Sequence, residues 1–148
     1  MSSENLPVPR GSVPAGVPMS VDPTDTKGEM WTSLDLALPV GKARLLAAME
    51  QVDEELWETH GTSRPVQDVV VWVQEEVDQQ TGELVTRRRT VLVSPDGSTA
   101  GTSSMYAFRA LKRIVILYGR PPWVPALVIR PVRKHSRNQR DYLTLDVV

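Results

Sequence analysis

The stretch from Leu84 to Gly119, LVTRRRTVLVSPDGSTAGTSSMYAFRALKRIVILYG, constrains the fold of this chain more than any other. Residues 84–94 are rich in β-branched side chains, which pack well on a pleated surface and predict a strand. Pro95-Asp96-Gly97 then combines a fixed φ with a residue free to turn, so the chain reverses there. Ser98 to Ser104 reads as a second strand made of small residues. With bulky groups absent, its backbone can approach a neighbour closely or bend. Ser103 and Ser104 are good helix caps, and the helix that follows ends at Gly119. Phe108, Leu111, Val115 and Tyr118 recur at helical spacing and are expected to face the core, with Arg109, Lys112, Arg113 and Ile116 on another face.

The neighbouring segments supply partners for these elements. Upstream, Arg64 to Asp78 holds VQDVVVWVQEEV, a strand that the turn in DQQTGEL folds back as a hairpin onto the strand at Leu84. Downstream, PALVIRPVR and YLTLDVV read as two more strands, with Pro131 marking an edge or a bulge. The order is strand, strand, strand, helix, strand, strand. It predicts a mostly β fold, a five-stranded OB-fold-like barrel over residues 62–148. Between Pro39 and His60, Val40, Ala43, Leu46, Ala47, Met49, Val52, Leu56 and Trp57 predict an amphipathic helix interrupted near Asp53, within an N-terminal helical segment at 30–61. The acidic run from Glu50 to Glu58 is read as its solvated face. Residues 1–29 carry Pro7, Pro9, Pro14, Pro18 and Pro23 and no aromatic residue. Such a segment buries too little apolar surface to offset its ordering entropy, so a disordered tail is expected.

Charge is divided between the halves of the chain. Residues 1–80 hold 5 Lys/Arg against 14 Asp/Glu, whereas residues 81–148 hold 12 against 4. That asymmetry points to one basic face suited to a polyanion. Pairing of the opposite charges across the fold is the simpler alternative. No cysteine is present, which excludes disulfides and thiolate metal sites and suits a reducing, cytoplasmic setting. No apolar run reaches the roughly 18 residues a membrane span needs, so no membrane partner is expected. The two histidines, His60 and His135, sit at no ligand spacing, and no nucleophile–base arrangement stands out. Catalysis, a metal and a cofactor are therefore not expected.

The candidate site residues follow from the strand pattern. Alternation puts Arg87 and Arg89 on one side of their strand, about 7 Å apart, near the spacing of successive phosphates on an extended single strand. The loop RKHSRNQRDY is the most basic in the chain. Its Lys134, Arg137 and Arg140, with Arg130 before it, complete a candidate phosphate-binding set. Trp72, Trp123 and Tyr142 are candidate stacking platforms for bases. For Trp72, inside VVVWV, burial is an equal alternative; Trp123, in a Pro-rich loop, is expected to be exposed; Trp31 and Trp57 are expected to pack.

Taken together, DQQTGELVTRRRTVLVSPDGSTAGTSSMYAFRALKRIVILYG, the RPPWVPALVIRPV after it and the closing RDYLTLDVV resemble the small single-stranded DNA-binding proteins of tailed phages and of related mobile elements of Gram-positive bacteria. The shared pattern is a strand leading into Asp96-Gly97-Ser98, a small-residue strand, one helix, and two strands around a basic turn. An aromatic-x-x-Leu ending, Tyr142 to Leu145, completes it. The resemblance implies stoichiometric, non-catalytic coating of single-stranded DNA during replication, and replication proteins are candidate partners. A second reading from the residues themselves is a protein-interaction module whose acidic segment docks on a basic partner. Binding of duplex DNA or of RNA through the same domain is a third.

Overall fold

The structure is a computed structural model and describes residues 30–138 and 140–148. In chain order its elements are β1 (Met30–Thr32), α1 (Pro39–Glu50), β2 (Glu54–Glu55), β3 (Arg64–Val66), β4 (Asp68–Val77), β5 (Leu84–Val93), β6 (Thr99–Thr102), α2 (Met105–Tyr118), β7 (Leu127–His135) and β8 (Asp141–Val147). The tail expected at 1–29 lies outside the described residues.

The fold is mostly β, and the expected order survives as β4, β5, β6, α2, β7, β8. These strands do not close into one five-stranded barrel. They form two sheets, ordered β1-β4-β5-β6-β2 and β3-β7-β8. The reason lies at the edges. β1 pairs antiparallel with β4 and β2 pairs parallel with β6, so both edges that closure would need are already hydrogen-bonded to residues from the N-terminal segment.

β4 and β5 pair without interruption from Asp68↔Val93 to Val77↔Leu84. The hairpin turn is held by Asp78, whose Oδ1 accepts the backbone N–H groups of Gln80 at 2.7 Å and Thr81 at 3.2 Å. Alternation along the ladder gives the sheet two apolar faces. Val70, Trp72, Val91 and Val93 pack with Met30, Leu34, Leu36, Leu45 and Ala48, which brings α1 onto one face. Val69, Val71, Leu92 and Ala100 pack with Phe108, Leu111 and Val115 of α2 and with Ile129, Leu143 and Leu145 of the second sheet. This second layer is the larger core.

α1 departs from the expected helix in length and in orientation. It stops at Glu50, and the acidic stretch continues as the short strand β2. Its buried residues are Gly41, Leu45 and Ala48, while Val40, Leu46 and Met49 are exposed. The helix thus faces the sheet one residue around from the stripe the sequence suggests. Gly41 decides this: a Cβ there would lie 1.9 Å from the Asp35 carbonyl oxygen, so only glycine permits the contact. Past the helix, β6 captures the chain. The Asp53 carboxylate accepts from the Thr99 backbone N–H at 2.9 Å, and the Leu56 N–H donates to the Gly101 carbonyl at 2.8 Å.

The small residues of β6 also find their explanation. A Cβ on Gly101 would meet the Arg89 guanidinium and the Val52 side chain, each at 3.0 Å, so the bare backbone makes room for both. α2 is capped by Ser104, whose Oγ accepts from the Ala107 N–H at 3.2 Å and donates to the Leu143 carbonyl at 2.8 Å. It ends at Gly119 with φ 90°, as the sequence predicts. Phe108, Leu111 and Val115 are buried as expected, but Tyr118 is not: Ile116, Leu117 and Tyr118 are all exposed in the final turn.

β7 lies between β3 and β8, yet Pro131 fits there. β3 covers β7 only from Leu127 to Ile129, and the Pro131 carbonyl beyond it accepts from the Gly61 N–H. Along a strand a residue's N and carbonyl point to the same neighbour, so the missing proline N–H falls past the end of β3, where no ladder bond is lost. The Pro-rich connection does not run out into solvent. The Trp123 N–H donates to the Gln67 carbonyl and its Nε1 to the Gly119 carbonyl, both at 2.9 Å.

Candidate functional site

The two sheets sort the candidate residues into different environments. On the first sheet, Arg87 and Arg89 lie on one face with Gln74 and Trp72 directly opposite them on β4. Both guanidinium groups are occupied. Arg87 Nε pairs with Glu76 at 2.9 Å, and its Nη2 lies 3.8 Å from Asp78. Arg89 pairs with Glu55 and donates to the Ser103 hydroxyl at 3.3 Å. Asp78 is held below the ordinary carboxylate range, first by the Gln80 and Thr81 backbone N–H groups and then by Arg87. Charge pairing across the fold, the simpler of the two readings of the divided charge, therefore describes this part of the molecule.

Two of the three aromatic candidates are buried. Trp72 is 7% exposed and packs under α1, with its Nε1 donating to the Gln74 side chain at 3.1 Å. Trp123, expected to be exposed, is 5% exposed and belongs to the larger core. Its Nε1 bond to the Gly119 carbonyl holds the ring at the end of α2 within that core, which the Pro-rich composition of its loop concealed. Trp31 is buried as expected.

Of the remaining candidates, Lys134, Arg137, Arg140 and Tyr142 gather at the loop end of the β7–β8 hairpin, and Arg130 lies four residues back along β7. Lys134 stands directly across from Tyr142, and Arg130, on the same face of β7, stands across from Asp146. The connecting loop carries Arg137 and Arg140, both exposed. Neither has a carboxylate partner among the described residues. The opposite face of the hairpin carries Arg133 and His135, both held by Asp141, with Arg133 Nε at 3.1 Å from the carboxylate.

The structure adds aromatic groups that sequence reasoning passed over. Tyr106, at the start of α2, meets Tyr142 with ring centroids 4.5 Å apart, and Arg109 lies 5.7 Å over the Tyr106 ring. The Ser104–Leu143 hydrogen bond sets this meeting, because it fixes the first turn of α2 against β8. Tyr106 carried one usable signal, its place just after a serine cap, where a helical residue cannot yet be covered by a preceding turn. Trp57, expected to pack, is 43% exposed, with Arg133 5.8 Å over its ring and His60 beside it.

The acidic run is engaged with the fold for most of its length. Asp53 is bound by Thr99, Glu54 by Arg64 at 3.1 Å, and Glu55 by Arg89. No group of three or more His, Asp or Glu able to hold a metal occurs among the described residues. Nor is any helix among them long and apolar enough to cross a membrane.

Comparison with known proteins completes this picture. A family model described as phage single-stranded DNA-binding protein matches residues 24–148. No curated protein and no solved structure matches the chain.

Proposed function

The chain belongs to the phage single-stranded DNA-binding protein family, and from that premise we propose that it coats single-stranded DNA, without sequence preference, through the end of the β7–β8 hairpin and the start of α2. Such binding needs cations for the phosphates and aromatic faces for the bases. The observation that carries the assignment of the surface is the Tyr106–Tyr142 ring pair, flanked by Arg109 and by Lys134. Arg130, Arg137 and Arg140 extend the cationic track. Every base has a π-face and every nucleotide a phosphate, so a surface of this make-up has no means of preferring one sequence.

Of the residues the sequence nominates, the proposal keeps Arg130, Lys134, Arg137, Arg140 and Tyr142 and adds Tyr106 and Arg109. Trp72 and Trp123 are assigned to the two cores, and Arg87 and Arg89 to ion pairs within the first sheet. In this reading the protein acts stoichiometrically in the host cytoplasm during phage DNA replication, alongside the replication proteins, and performs no chemistry. The β4-β5-β6-α2-β7-β8 order is read as an OB-type arrangement opened by the two added edge strands.

Titration of a homopolymer such as oligo(dT) against wild type, Tyr142→Ala and Tyr106→Ala tests the surface. Each substitution is expected to weaken binding by about 1–3 kcal/mol, the range for loss of one stacked base. Wild-type affinity in both variants would overturn it, and equal competition by duplex DNA would overturn the single-strand preference.

A further inference from the structure

Trp57 is the tryptophan that none of this uses. Trp31, Trp72 and Trp123 are each at most 7% exposed, whereas Trp57 is 43% exposed on the loop after β2. Leaving an indole in water forgoes a large apolar burial, and this one is not left there by a slack loop. Leu56 beside it is fully buried and its N–H is bonded to Gly101. Two residues on, the Thr59 hydroxyl accepts from Arg64 Nη2 at 3.1 Å, while Arg64 Nη1 holds Glu54 at 3.1 Å. Gly61 donates to the Pro131 carbonyl of β7. The loop is thus tied to β6, to β3 and to β7, and it presents the ring in a fixed place.

That place is the β7–β8 hairpin. Arg133 sits over the indole, and its neighbour Lys134 faces Tyr142 on the other side of the strand. Trp57, with Arg133 over its ring, and Tyr142, with Lys134 across the ladder from it, therefore flank one basic hairpin end. Of the acidic residues near Trp57, Asp53 is bonded to Thr99, Glu54 is paired with Arg64 and Glu55 with Arg89, while Glu58, next to the indole in sequence, is exposed.

We propose that Trp57 is a second base-stacking site, taking a nucleobase of the same strand that passes over the hairpin end, with Arg133, itself held by Asp141, fixing the indole rather than taking a phosphate. The proposal rests on the single-strand reading and extends the contact surface to the opposite side of the hairpin from Tyr142. Arg64 is the positioning residue that holds the loop.

The test compares oligo(dT) with an abasic oligomer of equal length, which has the phosphates and lacks the bases. Trp57→Ala is expected to lower affinity for oligo(dT) about 5- to 150-fold, the loss of one stacked base, and to leave affinity for the abasic oligomer unchanged. Trp57→Tyr, which keeps a ring, is expected to restore most of the oligo(dT) affinity, and Trp57→Leu, which keeps apolar bulk alone, is not. Binding of oligo(dT) by wild type and by Trp57→Ala with equal affinity would overturn the Trp57 site and leave the single-strand reading standing. Equal losses on both oligomers would overturn it as well, because the effect would then be one of folding or charge. Failure of wild type to bind oligo(dT) would overturn both.

Discussion

Paired and unpaired arginines on this protein are expected to behave differently toward salt. Arg137 and Arg140 have no carboxylate partner among the described residues, so a phosphate can meet them without displacing anything. On single strands the logarithm of affinity falls with the logarithm of salt by about 0.7 for each phosphate neutralised. Replacing both residues by alanine is therefore expected to flatten the slope by about 1.4. The counterion contribution vanishes near molar salt, so at about 0.1 M the same change amounts to about 25-fold in affinity, or about 2 kcal/mol. Arg87→Ala/Arg89→Ala provides the contrast. A phosphate reaching these groups has to displace Glu76 or Glu55, and ions already exchanged within the protein are not released again. That variant is expected to change the slope by much less and to lose thermal stability instead, since the largely buried Arg89 holds both Glu55 and the Ser103 hydroxyl. Equilibrium binding to oligo(dT) at several salt concentrations, alongside thermal denaturation, measures both quantities. An unchanged slope in the Arg137/Arg140 variant, or a larger change in a folded Arg87/Arg89 variant, would refute the reasoning.

Two further outcomes follow from the core. Trp123→Ala removes a buried ring and strands the Gly119 carbonyl, so urea denaturation should show a loss of about 3–5 kcal/mol; a loss below about 1 kcal/mol would mean the ring is not a core element. Asp68 titrates above the ordinary carboxylate value of 3.8 because burial disfavours its charge, against the opposing pull of the Ser33 hydroxyl and Arg44. Its contribution to stability is complete below that ordinary value and is lost as pH rises through the higher folded value. Asp68→Asn retains an acceptor for Ser33, so its melting temperature relative to wild type is expected to climb as pH rises above the ordinary value of 3.8, and a constant difference would count against the assignment.

Much of the fold was legible because the signals were local. The β4–β5 hairpin rests on β-branched runs around a turn whose Asp78 binds its own neighbours, and α2 rests on a serine cap and a terminal glycine. Each of these depends on residues within a few positions of one another. The misplaced stripe on α1 shows the limit of such reading. Its apolar residues outnumber the places available on the sheet, and the choice among them was made by Gly41 touching Asp35, a contact that periodicity does not encode. The acidic run tells the same story: as sequence it is a solvated helix face, and in the fold Glu54 and Glu55 form a strand whose carboxylates answer Arg64 and Arg89.

For the site, sequence determined the inventory: where the arginines cluster, which residues are aromatic, and that the basic half of the chain includes the last hairpin. Which of those groups are available was decided by tertiary structure alone. Arg87 and Arg137 are chemically the same side chain, but a carboxylate stands beside one and none among the described residues beside the other. Trp123 and Trp57 exchange the roles their sequence surroundings suggest, because the Pro-rich loop folds back onto Gln67 and Gly119 while the loop after β2 is pinned with its indole outward. Exposure and pairing are properties of what lies across the fold from a residue, and neighbours far apart in the chain meet only when the chain has folded.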